Sequence, residues 1–170
     1  PLIFAGPGIE EGNRSEQGLV SLLDLLPTLC EYAGIRTQPR REGISLVPWL
    51  AGDTSSDPHH FVACQWHTEW GFTIEPGRMI RTPRFKYMRY LEEDGEQLYD
   101  LQTDPGEVHS LVNDPSYEQV LDEHRTLLKQ YIAATGDPFF SLGWKADTRW
   151  RSHPPGYRNH RGDAAPTADA

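Results

Sequence analysis

Residues 78–101, RMIRTPRFKYMRYLEEDGEQLYDL, alternate apolar and polar side chains in short runs broken by TPR and EEDGE. Alternation with a period of two belongs to strands that bury one face, and Pro, Gly and Asp between such runs mark tight turns. Within FKYMRYL, Phe85, Tyr87 and Arg89 therefore face one way, and Lys86, Met88 and Tyr90 the other. The segment EDGE makes a hairpin between Tyr90 and Leu98. With FVACQWH upstream, strands over 60–67, 77–82, 85–91 and 97–101 form an antiparallel meander.

A sheet with one apolar face needs a cover. The stretch that follows, NDPSYEQVLDEHRTLLKQYIAATG (113–136), has the helical spacing to supply it. Asn113 or Asp114 caps its start, Pro115 takes the first helical position, and Gly136 ends it. Tyr117, Val120, Leu121, Leu127, Leu128, Tyr131 and Ile132 make the face laid on the meander.

Upstream the texture differs. PLIFAGPGI (1–9) is an apolar run without alternation, which suits a strand buried on both faces of a parallel sheet. Such a strand needs neighbours, so the chain is expected to be the C-terminal part of something longer, with an open edge that favours self-association when isolated. LVSLLDLLPTLCEYAG (19–34) places Leu22, Leu23, Leu26, Leu29, Cys30 and Ala33 at helical spacing, with Asp24 as cap and Gly34 past the end. That pattern predicts a core-packing helix. RTQPRREG and AGDTSSDPHH read as loops around the short apolar ISLVPWL, and the tail 137–170 has no period.

Composition is that of a globular chain, 37% hydrophobic and 24% charged over 170 residues. A formal net charge of −9 disfavours a nucleic-acid partner, because such binding draws on lysines and arginines that neutralise phosphates. No apolar run approaches the roughly 20 residues of a membrane-spanning helix. Cys30 and Cys64 lack CxxC spacing, and one bridge or two free thiols both fit, so the compartment stays open.

Two constellations carry possible chemistry. LYDLQTDPGEVHSL (98–111) gathers Asp100, Asp104, Glu107 and His109, all metal-capable. DPGE also spells a capping box, with Asp104 as N-cap, Pro105 first and Glu107 turning back, so the acids are expected to serve the backbone at a helix start. The ligand alternation of a calcium-binding loop is missing. The second constellation is QWHTEWGF (65–72) with Arg78 and Arg81. Trp66 or Trp70 offers a stacking face, and His67, Arg78 and Arg81 offer contacts to an anionic or sugar substrate, Arg being suited to bidentate bonds to sulfate, phosphate or carboxylate. The competing reading is structural aromatics with surface charges. A Cys64–His67 nucleophile pair is disfavoured, since strand positions three apart face opposite ways.

Taken in order, PLIFAGPGI, VSLLDLLPTLCEYAGI, GISLVPWLAG, RMIRTPRFKYMRYL and QLYDLQTDPGEVHSLVNDP resemble the C-terminal portion of the sulfatase family, within the alkaline-phosphatase-like superfamily. The resemblance implies an α/β architecture: residues 1–58 as the last elements of a main domain with a mixed sheet, 59–136 as a C-terminal α+β subdomain of small antiparallel sheet and long helix, and 137–170 as an irregular tail. It implies a hydrolase of sulfate esters on a small molecule or glycan, with a formylglycine nucleophile from a C/S-x-P-x-R signature and a calcium ion. Neither cysteine here has Pro two residues on, and SHPPG from Ser152 has Gly156 where the Arg would stand. No catalytic or metal residue is therefore assigned in this chain, which is expected to be inactive alone. Trp66, His67, Arg78 and Arg81 are the substrate-side candidates. A glycan-binding or partner-binding module without catalysis, or part of a phosphodiesterase or phosphonate hydrolase, is the alternative.

Overall fold

A computed structural model describes residues 2–9, 18–35, 43–53, 57–66, 76–91 and 95–141. Its centre is a four-stranded sheet of β1 (Val62–Trp66), β2 (Gly77–Arg81), β3 (Phe85–Tyr90) and β4 (Glu96–Asp100), in the order β1-β2-β3-β4 with every neighbour antiparallel. This is the expected meander. Ala63, Ile80, Tyr87 and Leu98 lie in one row across the four strands, and the next row is Cys64, Met79, Met88 and Gln97 on the opposite face.

The long helix forms as its ends dictate. Asp114 accepts from the Ser116 N–H at 2.9 Å, Pro115 starts a 3-10 turn, and the α-helix runs Glu118–Thr135. Gly136 closes it with φ +69°, a left-handed conformation that costs glycine little. Leu121 and Leu128 pack against Ile80, Tyr87 and Leu98 as one buried cluster, flanked by Phe85, Tyr117, Val120, Leu127, Tyr131 and Ile132. His124 sits within this face, 4% exposed, a position that the apolar pattern passed over.

The N-terminal part departs from expectation in three ways. Residues 2–5 form no strand, and Leu2 and Ile3 are exposed, because no described residue pairs with their backbone. Ser21, not Asp24, caps the turn Leu22–Asp24: its hydroxyl accepts from Leu23 N–H at 3.3 Å while the Asp24 carboxylate reaches back to Ser21 N–H at 2.7 Å. The helix that continues from it, here α1 (Leu25–Tyr32), turns Leu26 and Leu29 outward and Thr28 inward. Asp24 and Thr28 are 0% exposed, whereas Leu22 is 78% and Leu29 58% exposed.

The inward side of α1 is a polar latch. Asp24 accepts from Ile44 N–H at 2.9 Å and meets His59 Nε2 at 2.9 and 3.0 Å. Thr28 donates to the Asp24 carbonyl at 2.6 Å and accepts from Leu46 N–H at 2.9 Å. These bonds hold α2 (Val47–Leu50) and the approach to β1 against α1, and they satisfy groups that would otherwise be costly to bury.

Candidate functional site

The alternation of the strands decides which candidate residues share a surface. Trp66 pairs with Gly77 and Gly77 with Tyr90, and Val62, Arg81 and Lys86 stand in line likewise. Trp66, Arg81, Lys86 and Tyr90 therefore all occupy the face turned away from the long helix. Gly77 makes this arrangement possible, since any Cβ there would fall inside the Trp66 indole. The indole crosses above the glycine and meets the Tyr90 ring edge to face, centroids 5.5 Å apart at 69°. The result is an aromatic platform beside β2.

Arg81 lies at the far end of the same strand, half-buried, and its guanidinium donates to the Thr82 carbonyl. Burial lowers its pKa from the ordinary arginine value, and the nearby Glu107 opposes that shift. Glu107 itself pairs with Lys86 Nζ at 2.6 Å. The expected capping box is thus only half realised. Asp104 accepts from the N–H groups of Val108 and His109, both at 2.8 Å, and these bonds hold its carboxyl below the usual range. Glu107 adopts φ +55°, leaves the backbone and reaches across to β3, and no helix starts there. The cross-strand cation was a better partner than the local cap.

Arg78 faces the other way. It is 0% exposed on the helix side, donating from Nε and Nη2 to the two Asp137 oxygens at 2.5 and 2.8 Å. Nη1 donates to the carbonyls of Gly77 at 2.8 Å and Trp66 at 3.2 Å, and the Phe139 ring lies 4.6 Å from the guanidinium carbon. The residue ties the segment after the helix to the strand that carries Gly77. Sequence reading missed Asp137, which stands beyond the helix stop with no local motif to mark it. His67, together with the rest of the stretch TEWGF, lies outside the described residues.

Asp100 accepts from Arg84 Nη2 at 2.6 Å and from Arg84 Nε at 3.0 and 3.1 Å, and this pairing draws its pKa down to about 2. Its acids so engaged, the stretch 98–111 has no open ligand set. Among the described residues no three His, Cys, Asp or Glu side chains gather to hold a metal ion, and those residues do not fit a calcium site. No helix among them is long and apolar enough to cross a membrane. Cys30 and Cys64 are free thiols.

Residues 1–134 match the family described as N-sulphoglucosamine sulphohydrolase, C-terminal. The chain is 47% identical over 167 residues to a Delta 4,5-hexuronate-2-O-sulfatase of Bacteroides thetaiotaomicron, a match that covers 97% of this chain and 35% of that protein. A solved structure of a 2-O GAG sulfatase superimposes with TM-score 0.80 at 47% identity, covering 96% of this chain and 36% of the other. The phosphonate monoester hydrolase of Agrobacterium radiobacter shares the fold, with TM-score 0.53 at 23% identity over 74% of this chain and 27% of its own. The chain thus spans about a third of the length of these two sulfatases.

Proposed function

The chain belongs to the sulfatases, within the family described as N-sulphoglucosamine sulphohydrolase, C-terminal, and from that premise we propose that it completes an enzyme which hydrolyses sulfate esters of a glycan, a 2-O-sulfated hexuronate being the favoured substrate. The observation that carries this is the 47% identity to the hexuronate-2-O-sulfatase along nearly the whole chain. Residues 1–58 supply the last elements of the main α/β domain, 59–136 the C-terminal subdomain, and 137–170 the tail. The nucleophile and a metal, calcium in this reading, belong to parts of such an enzyme outside this chain.

Within that enzyme Trp66 stacks on a sugar ring, and Arg81 with His67 answers the negative charge of a sulfated uronate. A platform of Trp66 on Gly77 and Tyr90 leaves one aromatic surface rigid, and rigidity lowers the entropy lost on binding. Arg78, buried against Asp137, acts at one remove by holding β2 and the carbonyl of Trp66. The chain performs no turnover by itself.

The test is a joined protein in which this chain replaces the matching third of the Bacteroides thetaiotaomicron sulfatase. Sulfate release from a 2-O-sulfated unsaturated uronate disaccharide is expected, with Trp66→Ala and Arg81→Ala raising KM about tenfold or more while kcat changes less, as for lost contacts worth roughly 1.4 kcal/mol each. Preference for a phosphonate monoester over the sulfate ester would overturn the substrate class. An unchanged KM in both variants would remove these residues from the site.

A further inference from the structure

Sulfur is scarce in this chain and gathers in one place. The chain has two cysteines and two methionines. Cys64 stands opposite Met79, and Met79 opposite Met88, so three of these four side chains form one row across β1, β2 and β3. The row lies on the face turned away from the long helix, and neither methionine belongs to the core cluster beneath that helix. Cys64 is exposed and both methionines are half-buried, so the row is open at its thiol end. Directly opposed residues on one face bring their Cβ atoms to about 4.5–5.5 Å. A thiophilic metal bonded to two sulfurs at about 2.3 Å holds them roughly 4–4.6 Å apart, close to the interval that neighbouring strands offer. The flexible methionine stems cover the remaining distance. Met88 Sδ accepts from the Tyr90 hydroxyl at 3.8 Å, which turns this sulfur along the outer face.

We propose that Cys64, Met79 and Met88 form a binding site for a soft monovalent cation of the copper(I) class. Thiolate and thioether sulfur select such ions, whereas calcium and magnesium take oxygen. Charge selects the monovalent ion as well. The next row on the same face holds Arg81 and Lys86, of which Lys86 is paired with Glu107. A monovalent ion on the Cys64 thiolate makes a neutral complex, but a divalent ion leaves a net positive charge beside Arg81. On the other side the next row carries the Trp66 and Tyr90 platform, a π surface that favours a cation near it. Binding is a ligand exchange without electron transfer. Metal–sulfur bonds replace those to the donor that delivers copper(I), and the Cys64 proton goes to solvent. The site draws on no residue outside this chain and does not depend on the sulfate-ester reading.

The test is made on this chain carrying Cys30→Ser, which leaves Cys64 as its one thiol. Copper(I) is supplied without oxygen as its bicinchoninate complex. One equivalent is expected to pass to the protein, with the volume-conserving Met79→Leu and Met88→Leu each weakening retention at least tenfold and Cys64→Ser abolishing it. With methyl-labelled methionine the two ε-methyl resonances are expected to shift together up to one equivalent of silver(I), and not with zinc. In urea above the unfolding midpoint the copper is expected to return to the chelator, because the row exists only while the strands pair. Retention that is unchanged in either leucine variant, or that survives in urea, overturns the proposal, since a lone thiol then accounts for it. A shift of one methyl resonance alone, an equal response to zinc, or no uptake from bicinchoninate overturns it too.

Discussion

Arg78 and Asp137, 59 positions apart, meet as a two-pronged ion pair with side chains 0% and 3% exposed. The pair closes the helix side of the sheet at the strand that carries Gly77, beneath the aromatic platform of the opposite face.

Removing one partner leaves the other charged and dry, so Asp137→Ala is expected to destabilise the fold by roughly 3–5 kcal/mol. Arg78→Met with Asp137→Leu, which deletes both charges, is expected to recover most of that loss. Urea midpoints of the two variants and the wild type check this, and an Asp137→Ala protein of wild-type stability would sink it.

His124 makes stability depend on pH. Its Nδ1 lies 2.8 Å from the Val120 carbonyl and so donates to it, which leaves Nε2 to accept from Thr82 Oγ1 at 3.1 Å in the neutral ring. Burial holds its pKa below the ordinary histidine value. The unfolded chain therefore takes up the proton first as pH falls, and the contribution present above about pH 6.5 is lost as pH drops toward the lower folded value. Denaturation midpoints between pH 7.5 and 5 should fall for the wild type and fall less for His124→Gln.

Gly77→Ala forces a methyl into the Trp66 indole. The ring must leave its edge-to-face contact with Tyr90, at a cost of about 1–3 kcal/mol for an overpacked site. Near-ultraviolet dichroism should lose the signal of the ordered tryptophan while the far-ultraviolet spectrum holds. An unaltered aromatic spectrum would show that the indole does not rest on this glycine.

Thr28→Val keeps the shape of α1 and removes one hydroxyl. Leu46 N–H then loses its buried acceptor, and a loss of about 1–3 kcal/mol follows from an unsatisfied donor. Faster hydrogen exchange at Leu46 and Ile44, with the core of the long helix unchanged, would locate the effect at the latch. Uniform loss of protection would argue against a local role.

The meander and its covering helix were legible because each rests on local rules. Period-two alternation in FKYMRYL places Tyr87 toward the helix and Tyr90 away from it, and Pro115 and Gly136 bound the helix by their own dihedral preferences. That Trp66 and Arg81 share a face depends on the register of β1 against β2, which alternation within a single strand does not supply. The burial of Arg78 against Asp137 was not legible either, because a parity argument gives the face of a residue but not its partner.

The sequence by itself determined the strands, the long helix and the family, since backbone sterics and ordered motifs act within a few residues of each other. Only the tertiary structure decided the pairings. It turned Leu26 and Leu29 of α1 outward because Asp24 and Thr28 found donors at Ile44, Leu46 and His59, and it sent Glu107 to Lys86 and Arg78 to Asp137. Those bonds join residues 18–59 positions apart, and the choice among such partners is made by which charged and polar groups the packed chain can bury together.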